Sequence, residues 1–273
     1  MPEFDCTGPI TLALRIGGGG AEVVAEKRTT ASVEVTPDDA SDTAREAAAN
    51  TRVEMHGDTL IVQAPEWTGW MFRRGPRVRV RARVPLDSTL AIKVSSADVR
   101  CTGRYGSASV ATASGDVYVE HVTGTGSVNA ASGDVRLDRV DGQLGVHTAS
   151  GDTSVAEIAG DLDAKSASGD IDVTDAGGSV WAKTASGDIS IGTAHRGAVR
   201  VHAASGDVTV GVAAGTGVWL DLASTSGSVS SDLATDPAQA EPGSAALTVQ
   251  VRTISGDIDV VRAPQGQVTR TAT

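Results

Sequence analysis

Six aspartates recur along this chain at a spacing that could do chemistry. Asp116, Asp134, Asp152, Asp170 and Asp188 stand 18 residues apart, and Asp207 follows after 19. Each closes a Ser-Gly-Asp tripeptide. Carboxylates brought together are hard oxygen ligands of the kind calcium prefers, so these six are the candidate metal residues. The favoured reading is structural: Asp and Ser side chains bond nearby backbone N–H groups at turns. Known calcium-binding solenoids use a nonapeptide repeat with Gly-Gly-x-Gly, which is absent here. Stacked carboxylates about 4.8 Å apart repel by roughly 0.9 kcal/mol in bulk water. Solvation, backbone donors or bound cations must offset that repulsion.

A second candidate is the stretch EWTGWMFRRG, residues 66–75. Trp67, Trp70, Phe72, Arg73 and Arg74 form an aromatic–basic cluster in an acidic, aromatic-poor chain. Such a cluster suits a contact site; the alternative is a hairpin folding its rings over one end of the domain. The five histidines, His56, His121, His147, His195 and His202, follow no metal-ligand spacing. His147 and His202 hold equivalent places three repeats apart. Cys6 and Cys101 have no local partner and form no zinc motif or disulfide framework. There is no nucleophile elbow, P-loop or dinucleotide fingerprint. No catalytic residue and no cofactor is therefore expected.

The elements that position these residues follow from what repeats with the tripeptide. Val117, Val135, Thr153, Ile171 and Ile189 form one column, and Val119, Leu137, Val155, Val173 and Ile191 a second. Val110, Val128, Val146, Ala164 and Ala182 form another before the tripeptide. Polar residues alternate with them, which marks strands with one buried face. Gly124, Gly142, Gly160 and Gly178 mark a second corner. A unit this short has no room for a crossover helix. The expected fold is all-β: a single-stranded β-solenoid with 18-residue coils, two strands per coil and parallel pairing from coil to coil. Right-handed coiling is the default. Thr112, Thr148, Ser166 and Thr184 share parity with the buried valines, so a buried hydroxyl ladder is expected rather than an ice-binding face.

Residues 1–262 read as one solenoid domain. Residues 1–100 form a diverged N-terminal part with a cap, 101–215 regular coils, and 216–262 C-terminal coils with an inserted loop at 231–246; 263–273 read as a flexible tail. Ser96-Ala97-Asp98 is a degenerate copy of the tripeptide, and Gly17–Gly20 a worn corner. Asp38–Asn50 is the one expected helix.

The composition agrees. Of 273 residues, 40 % are hydrophobic and only 3 % aromatic, so the core must use small and β-branched side chains. The net charge of −11 disfavours nucleic acid and anionic membranes. No signal peptide or membrane span is recognisable, and a cytoplasmic location is expected.

The iterated Ala-Ser-Gly-Asp-Val/Ile motif, corners such as Val140-Asp141-Gly142 and the MPEFD start resemble the bacterial putative-adhesin domain family, over about residues 4–262. That resemblance implies a β-solenoid of unknown function, with some relatives associated with envelope stress, and brings no catalytic residues. The expected role is a non-enzymatic scaffold with an unknown protein partner, without nucleic acid or membrane insertion, and capable of end-to-end or face-to-face homo-oligomers. Alternatives are a surface adhesin or polysaccharide-binding module, and a carbohydrate-active enzyme.

Overall fold

Each Ser-Gly-Asp marks a bend between two short strands that stack on their copies. The computed structural model describes residues 2–65, 77–233 and 245–263. The N-terminal part holds β1 (Glu3–Asp5), β2 (Thr11–Glu26), β3 (Thr30–Pro37), α1 (Asp42–Ala49), β4 (Arg52–His56), β5 (Thr59–Gln63), β6 (Arg77–Pro85) and β7 (Thr89–Tyr105). Regular rungs follow as strand pairs: β8 and β9 (Ser107–Ser114, Val117–Val122), β10 and β11 (Gly126–Ser132, Val135–Val140), β12 and β13 (Leu144–Ser150, Thr153–Ile158). They continue with β14 and β15 (Leu162–Ser168, Ile171–Ala176), β16 and β17 (Val180–Ser186, Ile189–Ala194), and β18 and β19 (Gly197–Ser205, Val208–Val212). The last pairs are β20 and β21 (Val218–Ser226, Val229–Ser231) and β22 and β23 (Leu247–Ser255, Ile258–Arg262).

Pairing between rungs is parallel and in register: Ser132 lies opposite Ser114 and Ser150, and Val135 opposite Val117 and Thr153. The molecule is the expected β-solenoid. Its interior is a stack of Val, Ile, Leu and Ala side chains, with Val110, Val146, Val173 and Ile191 fully buried.

The tripeptide glycine is required twice over. Gly151 has φ +119°, and a Cβ there would sit 2.2 Å from the Gly133 carbonyl oxygen of the preceding rung. At the second corner φ is ordinary and close approach alone decides: a Cβ on Gly160 would meet the Gly142 oxygen at 2.2 Å.

The ends depart from the regular pattern. β2 and β7 each run unbroken through a worn corner, where Gly18-Gly19-Gly20 lies opposite Ser96-Ala97-Asp98. β5 and β6 pair with the two halves of β2 and form the outermost parallel rung. Antiparallel strands close that end, β3 on β6, β1 on β3 and β4 on β5. Helix α1 is shorter than expected. Ser41 caps it, its Oγ accepting from the Ala44 N–H at 3.1 Å. Asp38 instead receives Arg77 and Arg79 at 3.0 and 2.9 Å.

At the other end, chain order and stacking order differ. The rung of β22 and β23 packs directly on β18 and β19, and the earlier pair β20 and β21 lies outside it. A simple coil would stack them in sequence. The inner rung is the more apolar, with Leu247, Val249, Val251 and Ile258 fully buried, whereas Val218, Leu220 and Leu222 of the outer rung are half-buried.

Thr112, Thr148, Ser166 and Thr184 do face inward. They do not bond one another along the stack. Thr184 Oγ1 donates to the Ser186 carbonyl at 3.0 Å, while the hydroxyls of Thr112, Thr148 and Ser166 have no partner.

Candidate functional site

The aspartate column is a hydrogen-bond ladder. Asp134 N–H donates to Asp116 Oδ1 at 3.0 Å, Asp152 to Asp134 at 3.0 Å, Asp170 to Asp152 at 2.9 Å and Asp188 to Asp170 at 2.8 Å. Asp207 and Asp257 continue it at 2.8 Å each. Backbone donors thus offset the carboxylate repulsion. The ladder ends where Ser228 N–H donates to Asp257 Oδ1 at 2.7 Å. Those contacts from Ser228 hold the Asp257 carboxyl below the usual range. The outermost described tripeptide is Ser226-Gly227-Ser228: among the described residues no rung lies beyond it to need a carboxylate. Among the described residues no group of three or more His, Cys, Asp or Glu side chains could hold a metal ion.

The other sequence candidates scatter. Trp67, Trp70, Phe72, Arg73 and Arg74 lie outside the described residues. His147 and His202 are three rungs apart, as register dictates. His121 contacts Asp141 at 2.9 Å and His195 contacts Asp175 at 3.1 Å. Cys101 is buried, and desolvation pushes its thiol up to about 12. Cys6 Sγ donates to the Phe4 carbonyl at 3.4 Å. Tyr105 is buried and donates to the Val23 and Thr102 carbonyls at 2.9 and 2.8 Å. These groups hold the fold together.

Two outer faces remain, one on each side of the tripeptide corner. The face formed by strands after the corner carries ion pairs. Arg139 meets Asp141 at 2.8 Å and Glu157 at 2.7 Å, Arg136 meets Asp138 at 3.2 Å, and Tyr118 donates to Asp138 at 2.6 Å. The His121 hydrogen bond, then Arg139, hold the Asp141 carboxyl below the usual range, which makes it a poor proton donor at neutral pH.

The face formed by strands before the corner is different. Its outward residues make a row of basic side chains in strict register: Lys165 opposite Lys183, Lys183 opposite His202, His202 opposite Arg252. Beside it Trp181 lies opposite Asp163 and Arg200. Trp181 is 45 % exposed, an unusual position for so large an apolar side chain. Lys165 Nζ sits 4.4 Å from the Trp181 ring centroid and 2.9 Å from Asp163. Arg200 bonds the Gln250 side-chain oxygen at 3.1 Å. Among the described residues no carboxylate lies within 4.0 Å of Lys183. Like charges directly opposite one another in a sheet are destabilising; Lys165 and Lys183 are such a pair, and Asp163 offsets only Lys165. Towards the N-terminal end a shallow groove continues the same column, walled by Lys93, Asn129 and His147 and floored by Ala113, Ala131 and Ala149.

Sequence reasoning missed this face. The outward positions after each Asp vary freely and attract attention first; the residue three places before each Ser was read only at the histidines. Listing that column, Lys165, Lys183, His202 and Arg252, is the signal that finds it.

Among the described residues no helix is long and apolar enough to cross a membrane. No protein of curated function matches the chain. A solved structure from Parabacteroides distasonis, named a putative lipid binding protein, is 16 % identical over 96 % of both chains with a TM-score of 0.51. A putative adhesin from Bacteroides fragilis is 12 % identical over 95 % of both, with a TM-score of 0.47. The first likeness is one of fold. The family model described as Toastrack DUF4097 matches residues 13–261, nearly the whole solenoid, and this chain belongs to that family.

Proposed function

We propose that this protein is a non-catalytic recognition module: the solenoid is a rigid platform, and the face bearing Lys165, Trp181, Lys183 and Arg200 is its contact surface. The carrying observation is the row of basic side chains beside an exposed tryptophan. On a chain of net charge −11, a positive strip invites a partner carrying local negative charge. On the opposite face Asp138, Asp141 and Glu157 are tied into exposed ion pairs with Arg136 and Arg139, which supports binding rather than turnover.

The test is capture from extracts of the native host. Wild type, Lys183→Glu with Trp181→Ala, and Lys27→Glu with Arg136→Glu are immobilised side by side. The first double variant should lose its specific retained material while the second keeps it. Equal retention by all three would contradict the proposal.

A further inference from the structure

We infer that the ligand of this face is a linear polysaccharide bearing carboxylates, a polyuronate in chemical class, lying along the solenoid axis across successive rungs. The inference rests on the recognition reading above and names its ligand.

Direction comes from register. Lys165, Lys183, His202 and Arg252 form one row that crosses the strands at right angles, with about 4.8 Å between rungs. A ligand matching that row must itself be extended and carry negative charge at short regular intervals. The groove walled by Lys93, Asn129 and His147 prolongs the row on the N-terminal side. Its long axis follows the stack of rungs, with Ala113, Ala131 and Ala149 lying alongside, so a ligand that fills it runs in the same direction as the basic row.

Charge sets the class. Four fixed positive charges, Lys165, Lys183, Arg200 and Arg252, face two carboxylates, Asp163 and Asp221, which engage Lys165 and Arg252. The surplus is modest. It suits one carboxylate per sugar better than the dense charge of a polynucleotide, which the rest of this acidic chain would repel.

Trp181 argues for sugar. Lys165 covers one face of the indole at 4.4 Å, but the side chain stays 45 % exposed, and the negative π surface of an indole attracts the partly positive C–H edges of a pyranose ring. A bilayer is a poorer fit, because the exposed apolar column on this face is made of alanines such as Ala113, Ala131 and Ala149, and only Trp181 and Ile254 are large enough to reach into acyl chains. An extended peptide adding to a sheet needs a free strand edge, and the strands from β8 to β19 are paired on both sides.

The experiment uses the full chain and four probes: polygalacturonate, dextran, single-stranded DNA and phosphatidylglycerol vesicles, by affinity electrophoresis and calorimetry. Polygalacturonate should bind, and raised salt should weaken it. Lys183→Glu and Trp181→Ala should each lower affinity by about tenfold, whereas Lys27→Glu, an equal charge change elsewhere, should leave it within twofold. Circular dichroism melts confirm that the exposed substitutions leave the fold intact. Binding to DNA or vesicles in preference to polygalacturonate overturns the inference, as does polygalacturonate binding indifferent to Lys183 and Trp181. If polygalacturonate fails while host-extract capture still depends on those two residues, the glycan is wrong and the recognition face stands. If neither depends on them, both fall.

Discussion

Replacing Asp134, Asp152 and Asp170 together, once by alanine and once by asparagine, separates the two roles a stacked carboxylate can have. Both triple variants remove the same charge and the same mutual repulsion. Only asparagine keeps an oxygen where Oδ1 now accepts the N–H of the next rung, at 3.0 Å for Asp134 and 2.9 Å for Asp152. An exposed side-chain acceptor of a backbone N–H resembles a helix N-cap, whose loss costs about 1 kcal/mol. Neighbouring sites couple, so the alanine variant should be less stable than the asparagine variant by roughly 2–3 kcal/mol. Against wild type, asparagine loses charge assistance but sheds repulsion of roughly 0.9 kcal/mol per neighbouring pair in bulk water, and should lie near neutral. Urea unfolding followed by circular dichroism and Trp fluorescence reads the difference. Coincident midpoints for the two variants would refute the ladder as the purpose of the aspartates. A wild-type midpoint that rises with millimolar calcium, and no longer does in the asparagine variant, would replace backbone donors with cations.

Three other outcomes follow from the same geometry. Gly151→Ala combines a left-handed φ with a contact 2.2 Å from a carbonyl oxygen and should cost more than the roughly 1–3 kcal/mol of backbone strain alone. Gly145→Ala, with open space around it, should be neutral or stabilising by up to about 1 kcal/mol, so equal melting of the pair would contradict the close-approach argument. Thr148→Val removes a buried hydroxyl that has no partner and should raise stability by about 1 kcal/mol in urea titration; a loss of that size would mean the hydroxyl is bonded after all. Burial raises the Cys101 thiol from 9.0 to about 12, so the unfolded chain ionises first, and this group's contribution to stability, intact below pH 9, declines as pH rises towards 12. Native protein at pH 8 should leave Cys101 unreacted with iodoacetamide, and modification without unfolding would contradict its burial.

The coil was legible because in-register parallel stacking confronts each residue with its own counterpart. The glycine that solves close approach at Gly133 is needed again at Gly151, so one geometric problem writes itself into the chain every 18 residues. Strand direction at the ends was not legible, since alternation in β3 or β4 looks the same whichever way the neighbour runs. The exchanged order of the last rungs was hidden for a related reason. A corner motif specifies a bend, not which rung lies beside it. One clue was present in Ser228: the rung that lacks the aspartate is the one with no successor among the described residues. The basic face was harder still. Outward side chains are not constrained by core packing, so Trp181 has no counterpart of its own type in neighbouring repeats, and Lys183 shows its row only when the residues three places before each Ser are aligned.

Distances between spin labels test the stacked frame on which the rest depends. With Cys6 and Cys101 replaced by alanine, a label at the exposed position of Ala113 is paired with one at Ala185, Ile254 or Thr225. Four, six and seven rung steps predict about 19, 29 and 34 Å, each widened by the label tethers. Proportional growth with rung number, and Ile254 nearer than Thr225, is the expected result. Distances that fail to grow with rung number, or Thr225 nearer than Ile254, would contradict the stacked solenoid or its exchanged terminal rungs, respectively.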